Sequence, residues 1–380
     1  MSGGPVTEPT SDCVSHYTGT QPGKGKEIWD SWLRSIVRVK GSDLIIKCGV
    51  APRIRHKGQL VPIKCPAVVP GDLFQMCMDV LDESQQKIFR RRGQLDFAYD
   101  LDGKNRFRVN IFQARGKPSL AARLISSTIR RFEELYLPPI LGDVSMAAQG
   151  LILLAGVTGS GKSTTIAAML QYVNERKKAH IVTLEDPIEY IFTDDQCTIN
   201  QREIGIDCAN FNEALRALVR ENPDIVLVGE MRDKETFEAA IRAAETGHLV
   251  FGTIHASSAW QTLGRILELF PQEERPQIRK LLAYNLRAII YQKLLPTLHP
   301  NIPRIPGLEI MITTPSVQKY ILEEREGELL DIIRKSHSEG MVDFNTSLAK
   351  LVETEYVHVK VALEATPKPE ELKMKLKGIG

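Results

Sequence analysis

Hydrophobic positions along the chain change period more than once, and each change marks a change of architecture. Residues 1–24 are rich in Gly, Pro, Ser and Thr, carry no apolar periodicity, and read as a disordered tail. Then Ile28, Trp32 and Ile36 recur at helical spacing with Trp29 and Leu33 beside them, which predicts an amphipathic helix ending near Gly41. Short strand-like segments follow at 44–47, 53–56, 97–99 and 106–112, with Gly and Pro turns between them and a helical stretch at 72–92. Residues 25–137 therefore read as a small α+β domain, and Leu137-Pro138-Pro139 opens a linker over 138–149.

From Gly150 onward, continuous apolar runs alternate with helical patterns. Segments 151–155, 181–184, 225–228 and 249–253 have the texture of strands buried on both faces. Helices are predicted between them at 163–176, 211–221 and 236–245, which specifies a mainly parallel α/β core over 150–270. Residues 271–380 read as a helical C-terminal region, with helices at 273–294, 316–324, 329–338 and 345–355.

Composition narrows the function. The 380 residues are 43% hydrophobic and 25% charged, which excludes wholesale disorder. Lys plus Arg number 49 and Asp plus Glu 47, so the formal charge of +2 gives no electrostatic case for a dedicated nucleic-acid binder, and no nucleic-acid partner is expected. Six scattered cysteines contain no C-x-x-C pair, which suits reduced thiols better than a zinc ribbon or a disulfide framework. No apolar run approaches the ~20 residues that span a bilayer, and the first residues lack the apolar stretch of a signal peptide. The expectation is a soluble cytoplasmic protein.

Candidate chemistry centres on Gly156-Val157-Thr158-Gly159-Ser160-Gly161-Lys162-Ser163, which fits G-x-x-x-x-G-K-[ST] between a predicted strand and helix. Glycines let successive backbone N–H groups curl inward toward phosphate oxygens, and the following helix adds its positive dipole end. Lys162 is expected to reach the β- and γ-phosphates, and the Ser163 hydroxyl to ligate Mg²⁺. Gly156, Thr158, Gly159, Ser160, Gly161 and Thr164 complete the predicted nucleotide cradle.

Four apolar residues, 225–228, deliver Glu230 to a strand's C-terminal end. A carboxylate there can orient the attacking water and help hold the hydrated metal; alone, the pattern equally suits a strand ending at a solvated acid. The acids of Glu185-Asp186-Pro187-Ile188-Glu189 repel one another unless a cation or donor offsets them, with a surface acidic turn as the alternative. His248 and His255 bracket the fourth core strand, too far apart to share a metal. His255 lies at the ligand-binding end, whereas His248 is equally suited to a structural role. Arg108 and Arg123 belong either to a solvated basic face or to a set of arginines offered to a nucleotide.

Together these residues resemble the type II/type IV secretion ATPases. Residues 156–165, Glu-Asp-Pro-Ile-Glu (185–189), Val-Gly-Glu-Met-Arg-Asp (228–233) and Ala-Glu-Thr-Gly-His-Leu-Val-Phe-Gly-Thr-Ile-His (244–255) stand in that family's order. Within it the chain is most similar to the type IV pilus retraction ATPases, the PilT/PilU-like branch. The resemblance implies a PAS-like N-terminal domain joined to a RecA-like P-loop ATPase core, assembled as a hexamer, with ATP and Mg²⁺ between the domains. It implies a catalytic Glu230, an acidic box at Glu185 and Glu189, a His box at His248 and His255, and phosphate contacts from Arg108 and Arg123. The implied function is an ATP-hydrolysing motor that powers pilus retraction and twitching motility from the cytoplasmic face of the inner membrane. Its implied partners are a pilus inner-membrane platform protein and a paralogous retraction ATPase.

Two departures leave alternatives. The retraction signature Ala-Ile-Arg-Asn-Leu-Ile-Arg-Glu aligns with Ser316-Val317-Gln318-Lys319-Tyr320-Ile321-Leu322-Glu323, which lacks both arginines, and 256–259 read Ala-Ser-Ser-Ala. A secretion or pilus assembly ATPase, or an accessory ring subunit that supports a partner motor, are the rival readings. All six cysteines precede Glu230, unlike the zinc site of the extension motors.

Overall fold

The computed structural model describes residues 24–56, 58–103, 105–125 and 128–378, so the segment read as a tail, apart from Lys24, lies outside the described residues. The chain divides between Ser127 and Thr128 into two compact units.

The first unit runs α1 (Lys24–Arg38), β1 (Asp43–Lys47), β2 (Arg53–His56), β3 (Gln59–Pro62), α2 (Pro70–Val80), α3 (Glu83–Arg92), β4 (Gln94–Asp100), β5 (Arg106–Ala114) and β6 (Lys117–Ile125). Its six strands form one antiparallel sheet, ordered β3-β2-β1-β6-β5-β4. Trp29, Leu33 and Ile36 of α1 are fully buried with Leu44, Phe107 and Val109, so the helical stripe is a core stripe and both tryptophans pack inside. The single helix read at 72–92 is two. Asp82 accepts from the Gln85 N–H, and Gln85 caps Asp82 in return, a reciprocal pair that starts a new helix.

The second unit runs α4 (Ile140–Ser145), β7 (Gly150–Ala155), α5 (Lys162–Asn174), β8 (His180–Glu185), β9 (Thr198–Glu203), α6 (Phe211–Glu221), β10 (Ile225–Val228), α7 (Lys234–Glu245), β11 (Leu249–Ile254), α8 (Thr262–Leu267), α9 (Arg275–Asn285), β12 (Leu286–Pro296) and β13 (Arg304–Ile312). It ends in α10 (Pro315–Leu322), α11 (Leu329–Lys335), α12 (Phe344–Glu353), α13 (Val359–Ala365) and α14 (Pro369–Leu376). The sheet order is β13-β12-β7-β11-β10-β8-β9, parallel throughout except for the antiparallel edge strand β13. Strand side chains alternate between two cores. Ile152, Leu154, Ile225 and Leu227 pack with Ile166 and Met169 of α5, while Leu151, Leu153, Val226 and Val228 pack with Phe237 and Ile241 of α7. None of the described helices is long and apolar enough to cross a membrane.

The structure revises two readings made from sequence. The α/β unit begins before Leu137, because Phe132 stacks on Tyr172 with ring centroids 5.3 Å apart and Leu137 is buried with Leu141 and Ile152. The expected linker accordingly contains α4, whose Gly142 packs so closely that a Cβ would lie 2.8 Å from the Tyr172 ring. The helix read over 273–294 ends at Asn285, where the chain enters β12 and pairs with β7. Residues 271–380 thus hold two sheet strands ahead of the helices expected there.

Candidate functional site

Four neighbouring strands, β7, β11, β10 and β8, end on the same side of the sheet. The loops leaving them carry the P-loop, His255, Glu230 and the 185–189 acids. Parallel pairing puts all four carboxyl ends together, the position at which open α/β sheets take ligands. These residues line one cavity of about 370 Å³, within the ~300–1,000 Å³ of small-ligand sites.

The P-loop holds its curl through two glycines that tolerate nothing larger. Gly156 has φ +147° and Gly161 φ +90°; an added Cβ would lie 2.5 Å from the Gln292 carbonyl oxygen and 2.6 Å from Gln292 Nε2, respectively. Gln292, a buried residue of β12, fastens the loop. Its Nε2 donates to the Ser160 carbonyl at 2.8 Å, and its Oε1 accepts from the Thr165 hydroxyl at 2.7 Å. Lys162 Nζ folds over the loop and donates to the carbonyls of Gly156 at 2.8 Å and Val157 at 3.0 Å. Burial lowers its pKa, and the charges of Glu230 and Glu189 oppose that shift. Thr158, Gly159, Gly161, Ser163 and Thr164 all border the cavity, and Thr164 Oγ1 lies 2.7 Å from the Tyr190 hydroxyl. Ser160 is buried within the loop.

On the opposite wall, Glu230 Oε1 lies 2.9 Å from His255 Nε2, and Arg232 Nη2 donates to Glu230 Oε2 at 2.5 Å. The hydrogen bond from Arg232 holds the Glu230 carboxyl below its usual range against the upward pull of burial. An ionised carboxylate fixed on both oxygens suits orientation of a water more than strong base catalysis. Glu185 is the reverse case. Burial pushes its pKa up to about 7, although Thr183 and Gln201 donate to Oε1 at 2.7 and 3.2 Å. Asp186 and Glu189 complete four carboxylates on the cavity wall. Four acids beside a phosphate cradle repel its ligand unless a cation intervenes. Ser163 with these acids forms a hard-oxygen set, which fits Mg²⁺. Among the described residues no three His, Cys, Asp or Glu side chains converge tightly enough to hold a metal alone, so nucleotide phosphates and water would have to complete the shell.

Not every predicted residue gathers here. His248 precedes β11 at its other end, roughly 20 Å of strand from His255. Its Nδ1 lies 2.9 Å from the Ala243 carbonyl, and it borders a separate groove along α6 and α7. The structure thus assigns His248 a place away from this unit's cradle, because one strand cannot present both its ends to one ligand. Arg108 and Arg123 lie in the first unit, directly opposite each other on β5 and β6. Arg123 Nε donates to Asp43 Oδ1 at 2.8 Å, and Arg108 lies 3.9 Å from Asp96. Facing like charges cost stability, which carboxylates on adjacent strands offset.

Conversely, Gln292, Leu294 and Arg304 of the β12–β13 hairpin, with Arg232, Tyr190 and Phe192, contribute to the site without having been picked out from sequence. Arg232 lay inside a recognised motif. Gln292 and Leu294 had no local signal, since their segment reads as helix.

A strand–glycine loop–helix cradle facing an ionised glutamate defines a P-loop nucleotide hydrolase. Residues 107–348 match the family described as type II/IV secretion system protein. The chain is 40% identical to the type IV pilus retractation ATPase PilT of Pseudomonas aeruginosa, over 87% of this chain and 95% of that one. It is 35% identical to the type IV pilus ATPase PilU of the same organism, over 92% and 91%. A crystal structure of the pilus retraction motor PilT with bound ADP superposes with a TM-score of 0.85 at 38% identity, covering 90% of this chain and 98% of that one. The chain belongs to the type II/IV secretion ATPase family and is a PilT-like ATPase with a RecA-like core.

Two outcomes are expected from the site. Gln292→Leu, which leaves the Ser160 carbonyl and Thr165 hydroxyl unpaired, should weaken ADP binding about tenfold by calorimetry; undiminished affinity would remove Gln292 from the cradle. Glu185 gives a pH signature. Its raised folded-state pKa means the folded protein binds the extra proton, so this residue's contribution to stability falls as pH rises from 4.5 toward about 7. Glu185→Gln should flatten that fall in urea titrations, and an unchanged slope would contradict the assignment.

Proposed function

We propose that this PilT-like ATPase works as a hexameric ring in which ATP hydrolysis drives pilus retraction. The observation that supports it most is the Glu230–His255 pair, held 2.9 Å apart across one cavity from the P-loop. In this reading the P-loop amides and the α5 N-terminus receive the phosphates, and Lys162 exchanges its two carbonyl partners for phosphate oxygens. Ser163 and Glu230 would hold Mg²⁺, which would supply positive charge beside the phosphates. Glu230, kept ionised by Arg232, orients the attacking water, while His255 fixes the other oxygen of that carboxylate. Glu185 and Glu189 shape the acidic wall.

Arg108 and Arg123 supply further phosphate contacts from the small unit, an assignment supported by their cross-strand pairing on β5 and β6. Hydrolysis would then be coupled to rotation of one unit against the other. The ring would act on the platform protein of the pilus at the cytoplasmic face of the inner membrane, alongside a paralogous retraction ATPase. The residues at 316–323 favour a second reading, in which the chain supports a partner motor. The α10 helix there carries Gln318 and Leu322 in place of the two arginines of the retraction signature.

Glu230→Gln keeps the side chain's shape and removes the charge that orients water. The expected result is ATP affinity within about twofold of the parent protein and phosphate release at least roughly a hundredfold slower. Equal rates for the two proteins would refute the assignment.

A further inference from the structure

Glu309, on β13, is only 3% exposed, and main-chain N–H groups hold it. Its Oε1 accepts from the Ala259 N–H at 2.6 Å and the Trp260 N–H at 3.4 Å, and burial raises the carboxyl's pKa despite these donors. Burying a carboxylate is costly, so its placement calls for a reason beyond filling space.

The chain it grips supplies one. Residues 255–261 connect β11 to α8, and His255 is the first of them. One end of this span is fixed where Ile254 leaves the sheet beside β7. Four residues beyond His255, Ala259 is fully buried and tied to Glu309. Ser258 then closes the turn into α8, accepting from the Gln261 N–H at 3.2 Å through its hydroxyl and from the Thr262 hydroxyl at 2.7 Å through its carbonyl. His255 therefore stands on a short tether with two fixed ends, and the far one is set by a side chain of a different strand. That strand belongs to the same hairpin as Gln292, which fastens the P-loop.

We propose that Glu309 is the positioning residue for His255, holding the 255–261 span so that the imidazole meets Glu230. The inference rests on His255 acting in hydrolysis, and the test separates the two ideas. ATP turnover, KM and folding are compared for the full-length parent, His255→Ala, Glu309→Ala and the double variant. His255→Ala should lower kcat about tenfold or more; Glu309→Ala should lower kcat about tenfold with KM for ATP within about twofold, yet change kcat less than about twofold in the His255→Ala background.

Parent-like turnover in His255→Ala sinks the role of His255 itself. An equal loss from Glu309→Ala in both backgrounds, or a KM rise that matches the loss, overturns the inference about Glu309 alone. Two milder changes guard against a fold defect. Glu309→Gln keeps an acceptor oxygen in place and should retain at least about a third of the parent kcat, whereas Glu309→Asp keeps the charge but withdraws the acceptor and should fall about tenfold. The opposite ranking, or failure of all three Glu309 variants to fold, also overturns the proposal, since the carboxylate would then serve charge or stability rather than position.

Discussion

The curl of the P-loop is the constraint on which the second unit's site depends, and a neighbouring strand keeps it from relaxing. Within 156–163 the Gly156 N–H donates to the Ile254 carbonyl and the Ser160 N–H to the Val157 carbonyl, both at 3.2 Å, so the loop is only partly satisfied by its own frame. Left-handed glycines allow the curl, but they do not enforce it. Enforcement comes from β12, whose Gln292 holds the Ser160 carbonyl and the Thr165 hydroxyl and whose backbone leaves no room for a side chain at Gly156. The lysine bends back to the loop's own carbonyls, a contact a phosphate can replace with little rearrangement.

Around this fixed donor array the acids are divided by environment. Glu230 stands at the cavity wall between Arg232 and His255 and stays ionised, while Glu185 lies beneath the surface with its pKa raised. Opposite shifts in two carboxylates of one cavity assign them different work. The first can orient water and share a cation. The second, held by Thr183 and Gln201, keeps the end of β8 in shape. The parallel order of β7, β11, β10 and β8 makes the division possible, because each strand delivers its own residue to the same edge.

Much of this was legible in the sequence, for physical reasons that also explain the failures. Segments 151–155 and 225–228 are uninterrupted apolar runs bounded by glycine or charge, as strands covered on both faces read. The P-loop was legible because its chemistry is local. Strands β6 and β9 were missed since their composition, with Lys117, Ala121 and Arg123 in one and Asn200, Gln201 and Arg202 in the other, carries no strand signature; their pairing is decided by neighbours. The helix drawn through 273–294 overran for a related reason: the stretch 281–290 is mostly apolar and has no glycine or proline, so the change to strand at Leu286 is set by contact with β7. Gln292 and Glu309 were invisible because a polar side chain that acts on a distant loop has no motif of its own. His248 shared a motif with His255, but a strand lies between them.

The central claim is that the curled amides of 156–163 are the phosphate site of this chain. A crystal structure with ADP and Mg²⁺ tests it most directly. The account predicts the β-phosphate inside the curl within about 3.2 Å of the backbone nitrogens, with Lys162 Nζ transferred from the carbonyls of Gly156 and Val157 to phosphate oxygen. Nucleotide bound elsewhere, or a lysine still closed on those two carbonyls with ADP present, would contradict it.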